Sequence, residues 1–204
     1  MQPADAEVVS ERKPSMKERQ RQLREDTILD AAEELLMAKG LTAMTLDDLI
    51  AEVGISKPTL YQHFSSKEEL VGSIMTRCLR DAGRKLRELE ASLPPGEALR
   101  ALIGWFVEES ANDGCGPVTD LCITLSLMAQ EPVREAEKTL RQEIEALVIA
   151  AQKEGSVRTS VPAIFVSQTL LSISKDASYR SMIAEGRSDL AETKQALIRL
   201  LLGE

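Results

Sequence analysis

A chain of 204 residues, 43% hydrophobic and 28% charged, can bury a sizeable core in one or two domains. Its net charge of −8 excludes a bulk polybasic nucleic-acid binder but leaves room for a local basic surface. No uninterrupted apolar run approaches the ~18 residues of a membrane span, and no apolar leader is visible, so a cytoplasmic protein with no membrane partner is expected.

In chain order, residues 1–16 are polar and carry Pro3 and Pro14, and read as a disordered lead-in. Residues 17–25, "KERQRQLRE", are basic and helix-prone. They suit a solvated helix start, with a phosphate-contacting arm as the alternative. From Thr27 the pattern sharpens. Ile28, Ala31, Ala32, Leu35 and Leu36 fall at helical spacing, and Gly40 stands where a helix C-terminal glycine belongs. Thr45 opens the next helix as an N-cap with Asp48 three residues on. Leu46, Leu49, Ile50 and Val53 form its buried stripe and Gly54 ends it. Ser56 caps a short helix over 57–63 that tolerates Pro58 in its first turn. There Leu60 and Phe64 point inward. Ser66, boxed by Glu69, starts a helix whose apolar stripe runs from Leu70 to Leu89 and stops before Pro94. Beyond this, helices are expected near 97–112, 117–130, 132–154, 162–185 and 189–202. No period-2 strand pattern appears. The fold class is therefore all-α. Cys78, Cys115 and Cys122 are an odd set without framework spacing, so no disulfide framework is expected. The one histidine, His63, lies far from them in sequence, so no metal site is expected either.

Helix, tight turn, helix over 45–63 is the arrangement of a helix-turn-helix, whose second helix enters the DNA major groove. Inward Leu60 and Phe64 leave the other side chains of 57–63 outward or at the margin. Lys57 and Gln62 can reach base edges, while Pro58 and Thr59 can pack on a thymine methyl or a sugar. Tyr61 offers a hydroxyl to phosphate. Thr45, Ser56 and Lys67 sit at helix starts, where free amides favour phosphate.

The run "TLDDLIAEVGISKPTLYQHFSSKEELVGSIM", residues 45–75, resembles the DNA-binding domain of the TetR family of bacterial regulators. "GIS", "TLYQHF" and "SKEEL" carry the likeness in order and spacing, and it extends over about residues 26–75. The resemblance implies phosphate contacts from Thr45, Tyr61 and Lys67, and groove contacts from Lys57, Pro58, Thr59, Gln62 and His63. It also implies a helical second domain that binds a small ligand and dimerises through its last two long helices. The domains expected are then a lead-in at 1–16, a helix-turn-helix domain at 17–66 and a ligand-binding and dimerisation bundle at 67–204. One position departs from the family pattern. Ile50 stands where a small residue is usual, four before the turn glycine, which bears on how closely the two helices cross.

For the second domain the candidate ligand residues are Leu102, Trp105, Phe106, Cys122, Leu125, Met128 and Phe165, an apolar and yielding set. Phe165, Leu171, Met182, Leu190, Leu197 and Leu201 are the candidate dimer residues, because the last helices carry more apolar surface than a monomer's end pair needs. The expected partners are double-stranded operator DNA, a second copy of the chain and a small apolar or amphipathic ligand. No catalytic constellation and no cofactor site is legible. The expected function is a ligand-responsive transcriptional regulator, most often a repressor, with the helix from Lys67 as its lever. Two alternatives stand beside it: a DNA-bound scaffold that recruits a protein, and a redox or electrophile sensor acting through Cys115.

Overall fold

Helix capping divides the chain. The computed structural model describes residues 15–111, 126–173 and 177–203, and among them there are helices and no strand. The first helix, α1 (Met16–Ala43), starts one residue before the expected basic lead, on Ser15, whose side chain and that of Glu18 cap each other's backbone amides. Gly40 does break the helical backbone, at φ 74°, but a last turn continues to Ala43 because the Met44 amide still reaches the Gly40 carbonyl at 3.1 Å. α2 (Leu46–Val53) is capped by Thr45 and closed by Gly54 at φ 70°. α3 (Lys57–Tyr61) is capped by Ser56, and the chain from Gln62 to Phe64 turns through bonds to Pro58, Thr59 and Leu60 carbonyls. α4 (Lys67–Ser92) is capped by Ser66; Glu69, expected to box that cap, instead accepts from the Ser65 amide at 2.7 Å.

The second half is built from α5 (Pro95–Ala111), a short helical turn at 126–128, α6 (Glu131–Glu154), α7 (Ala163–Ile173), α8 (Ala177–Ala184) and α9 (Leu190–Leu202). The single helix expected over 162–185 is two helices on either side of 174–176. Most of the helix expected near 117–130 lies outside the described residues, as does the lead-in through residue 14.

One continuous core unites these elements. Ile28, Ala32 and Leu36 of α1 meet Leu49, Leu60 and Phe64, and the first turns of α4 close this group with Leu70 and Ile74. Farther along, α4 packs along α6, which also receives α5 and α7, while α9 packs on α5. Each fully buried leucine in this frame, such as Leu70 or Leu86, contributes roughly 1.5–3 kcal/mol of burial. Ion pairs tie α4 at both ends. Arg77 holds Asp30 at 2.7 Å and Glu33 at 2.8 Å on α1, and Arg87 holds Glu143 at 2.7 Å on α6. α4 thus touches the helix-turn-helix at one end and the bundle at the other.

A second link lies beside the start of α4. The Gln130 amide donates to the Glu68 carbonyl at 2.9 Å, and its side chain is seated on Gly72, where a Cβ would collide with it. Cys78, on α4, is disulfide-bonded.

Candidate nucleic-acid interface

The short helix α3 presents the side chains that could meet DNA. Leu60 and Phe64 are buried, with 0% and 5% of their surface exposed. They anchor α3 to α2 and α4, so the opposite face must point outward. Lys57, Pro58, Tyr61 and Gln62 are exposed there, and Thr59 is half-buried. α2 supplies the brace. Ile50, the bulky departure from the family pattern, is partly buried against the core, and its carbonyl accepts from both Gly54 at 3.0 Å and Ile55 at 3.3 Å. The tight turn therefore forms with the large side chain in place.

Several of these polar groups are already held within the protein. Lys57 Nζ donates to Asp47 Oδ1 at 3.1 Å, and this hydrogen bond raises the Lys57 pKa. Both groups are largely exposed, so the pair is weak in water and exchangeable for a base or phosphate. Ser56 Oγ accepts from the Thr59 amide at 3.3 Å and lies 2.7 Å from the Thr59 hydroxyl. Thr45 Oγ1 accepts from the Asp48 amide at 3.1 Å and donates to the Asp48 carboxylate at 2.8 Å. Hydrogen bonds from Lys39 and then Thr45 pull the Asp48 pKa down to about 2.

Two predicted contact residues sit differently from the exposed face. The His63 side chain is only 8% exposed, and its Nδ1 lies 3.1 Å from Glu25 Oε1 on α1. Burial raises the Glu25 pKa, but hydrogen bonds from His63 and Arg21 outweigh it and hold the carboxyl below its ordinary range. The Lys67 ammonium reaches back to the end of α1, donating to the Met44 carbonyl at 2.6 Å and to the Leu41 carbonyl. It neutralises carbonyls at a helix C-terminus, where a cation is favoured. Sequence reasoning missed Asp47, Glu25 and Lys39 as partners of the site. Only the fold brings Glu25 to a histidine 38 positions away, and no local motif announces it.

Of the candidate ligand residues, Leu102 and Phe106 are buried and Trp105 is half-buried, its ring edge-on to Phe106 with centroids 5.2 Å apart. Met128 packs half-buried against the core, while Phe165 stands exposed on α7. Cys122, Leu125 and Cys115 lie outside the described residues. Of the candidate dimer residues, Leu171, Leu197 and Leu201 are buried within this one chain, whereas Met182 and Leu190 are half-buried. Among the described residues no group of three or more His, Cys, Asp or Glu could hold a metal ion. No helix there is long and apolar enough to cross a membrane.

Residues 28–74, which hold all of α2 and α3, match the model of the bacterial regulatory proteins of the tetR family. The N-terminal unit of the chain thus matches the DNA-binding domain of the TetR family. The chain is 28% identical over 177 residues to the HTH-type transcriptional regulator EthR of Mycolicibacterium smegmatis, covering 84% of this chain and 80% of that one. A transcriptional regulator of the TetR/AcrR family from Thermobifida fusca shares its fold with a TM-score of 0.62 and 26% identity, over 88% of this chain and 96% of that one. The regulator FadR from Bacillus subtilis, solved in complex with stearoyl-CoA, shares the fold alone, with a TM-score of 0.64 and 16% identity over 87% and 97% of the two chains. The chain is a DNA-binding transcriptional regulator with an N-terminal helix-turn-helix, similar to that of the TetR family, and a C-terminal helical bundle.

Proposed function

We propose that the chain is a cytoplasmic repressor that binds a palindromic operator as a homodimer and is released by a small apolar or amphipathic ligand. The single observation that carries the DNA reading is the exposed face of α3, with Lys57, Pro58, Tyr61 and Gln62 outward while Leu60 and Phe64 are locked inward. Lys57 and Gln62 read base edges, Pro58 and Thr59 pack against methyl or sugar, and Tyr61 bonds phosphate. Ser56 and Thr45 act through the free amides of the helix starts that they cap. His63 and Lys67 act by positioning: one fixes α3 against α1, the other fixes α4 against the end of α1. The boundary between reading unit and bundle falls at Lys67.

Dimerisation rests on exposed apolar groups of α7 and α9. Ile164, Phe165 and Leu200 are 47%, 66% and 74% exposed, which a second copy would cover. The ligand is proposed for the bundle around Trp105, Phe106 and Met128, and the stearoyl-CoA bound by the FadR neighbour supports an apolar or amphipathic class. A ligand that prefers a bundle state with misplaced recognition helices weakens operator binding by its differential affinity. Selection of duplexes from a random pool tests the DNA reading. Gln62→Ala and Lys57→Ala should each relax preference at one base pair per half-site, by roughly 1–3 kcal/mol for a bidentate contact. Unchanged preference in both variants would refute the assignment.

A second reading is favoured by the Cys78 disulfide on α4. Reduction would free the lever helix from one restraint and change operator affinity. Equal affinity with and without dithiothreitol would exclude it.

A further inference from the structure

The first nine residues of α1, 16–24, are not packed into the core. Residues 15–24 are exposed throughout, and the first buried side chain of the helix is Ile28. A helical segment without tertiary packing is marginal in water, so these turns are carried by the packed half and give the core nothing in return. They border a groove of about 770 Å³, with Lys17, Arg21 and Arg24 on the α1 side and Ile55, Gln62 and His63 on the helix-turn-helix side. Lys17, Arg21 and Arg24 recur at helical spacing and form one ridge. No aspartate or glutamate lines this groove, in a chain with 33 acidic residues and a net charge of −8.

The acids on the same turns are engaged elsewhere. Glu18 caps Ser15, Asp26 accepts from Gln22 at 3.0 Å, and Glu25 is shared between Arg21 and His63. Lys17 and Arg24 have no ion pair among the described residues, so their charges face the groove uncompensated. From Lys17 to Arg24 the ridge covers about 10 Å of helix axis, a length over which one DNA strand presents about three phosphates. The groove shares Gln62 with the proposed base-reading face.

From this juxtaposition we infer that the N-terminal half of α1 is a second DNA-contacting element, whose Lys17–Arg21–Arg24 ridge holds the phosphate backbone beside the groove that α3 reads. This rests on the DNA-binding reading above and extends it from base edges to the flanking strand. The ridge adds affinity and salt dependence without sequence information. It also fixes the register of α3, because Gln62 lines the same groove.

The test uses the full chain, a duplex that it has selected from a random pool, and a random duplex, with affinity followed by fluorescence anisotropy across a salt series. The double variant Lys17→Gln with Arg24→Gln removes the two uncompensated charges from exposed positions. Its slope of log affinity against log salt should be shallower than wild type by about 2, at about 0.9 per phosphate contact. The loss should be the same on both duplexes and the base preference unchanged. The charge-preserving pair Lys17→Arg with Arg24→Lys should keep the wild-type slope, and so should Lys138→Gln, which neutralises a cation of α6. An unchanged slope in the Gln pair, an equal change in Lys138→Gln, or an equal loss in the charge-preserving pair would overturn the inference while leaving the α3 assignment standing. A wild-type chain that selects no duplex would overturn both.

Discussion

Asp48 shows how one side chain can order the reading unit. Its carboxylate joins Lys39 of α1 at 2.8 Å to the cap of α2. Because its folded pKa of about 2 lies below the ordinary 3.8, the stabilisation it gives is complete above pH ~4 and disappears as pH falls toward 2. Thermal melts of wild type and Asp48→Asn should therefore differ by a constant amount above pH 4 and converge below it. A difference that grows on acidification would contradict this. Lys67 makes a different prediction from the one its position at a helix start suggests. Its ammonium is directed at the Leu41 and Met44 carbonyls, so Lys67→Ala leaves carbonyls at a helix end without that partner. A stability loss of about 1–3 kcal/mol in urea denaturation is expected. Loss of DNA affinity with unchanged stability would instead place Lys67 on phosphate.

At the scale of elements, most of the molecule was legible because its signals are local. Thr45, Ser56 and Ser66 cap the helices that the sequence predicts for them, and Gly54 stops α2 because its φ of 70° suits a residue without a Cβ. Gly54→Ala should cost about 1–2 kcal/mol, measurable by urea denaturation; a neutral substitution would show that the turn re-forms without the left-handed residue. Gly40 misled for a physical reason. It interrupts the helix, but the Met44 amide recaptures its carbonyl and a final turn follows. What the sequence hid is whatever depends on distant chain segments meeting: the Glu25–His63 pair, the groove beneath Lys17 and Arg24, and the Gln130 seat. That seat yields a prediction of its own. Gly72→Ala must expel the Gln130 side chain from α4, loosening the join between bundle and reading unit. Operator affinity should then change with dimerisation intact, as read by anisotropy and sedimentation; unchanged affinity would mean that the seat transmits nothing.

For the whole molecule, the last helices carry two kinds of apolar residue that sequence periodicity cannot separate. Leu171 and Leu197 are 0% and 5% exposed within one chain, so a charge there should unfold the protein rather than merely split a dimer. Phe165 and Leu200 are the outward members, and Phe165→Glu or Leu200→Glu should give folded monomers in sedimentation with weakened operator binding. Wild-type protein that remains monomeric at micromolar concentration would remove the two-fold reading. The claim on which the rest depends is that α3, held by Leu60 and Phe64, reads DNA sequence. Its most direct measurement is the affinity of the wild-type chain, at fixed salt, for a duplex it selects from a random pool, set against a scrambled duplex of the same composition. A selected duplex with two inverted half-sites is expected, bound at least ~10³-fold more tightly than the scrambled one. Equal affinity for the two duplexes would contradict it.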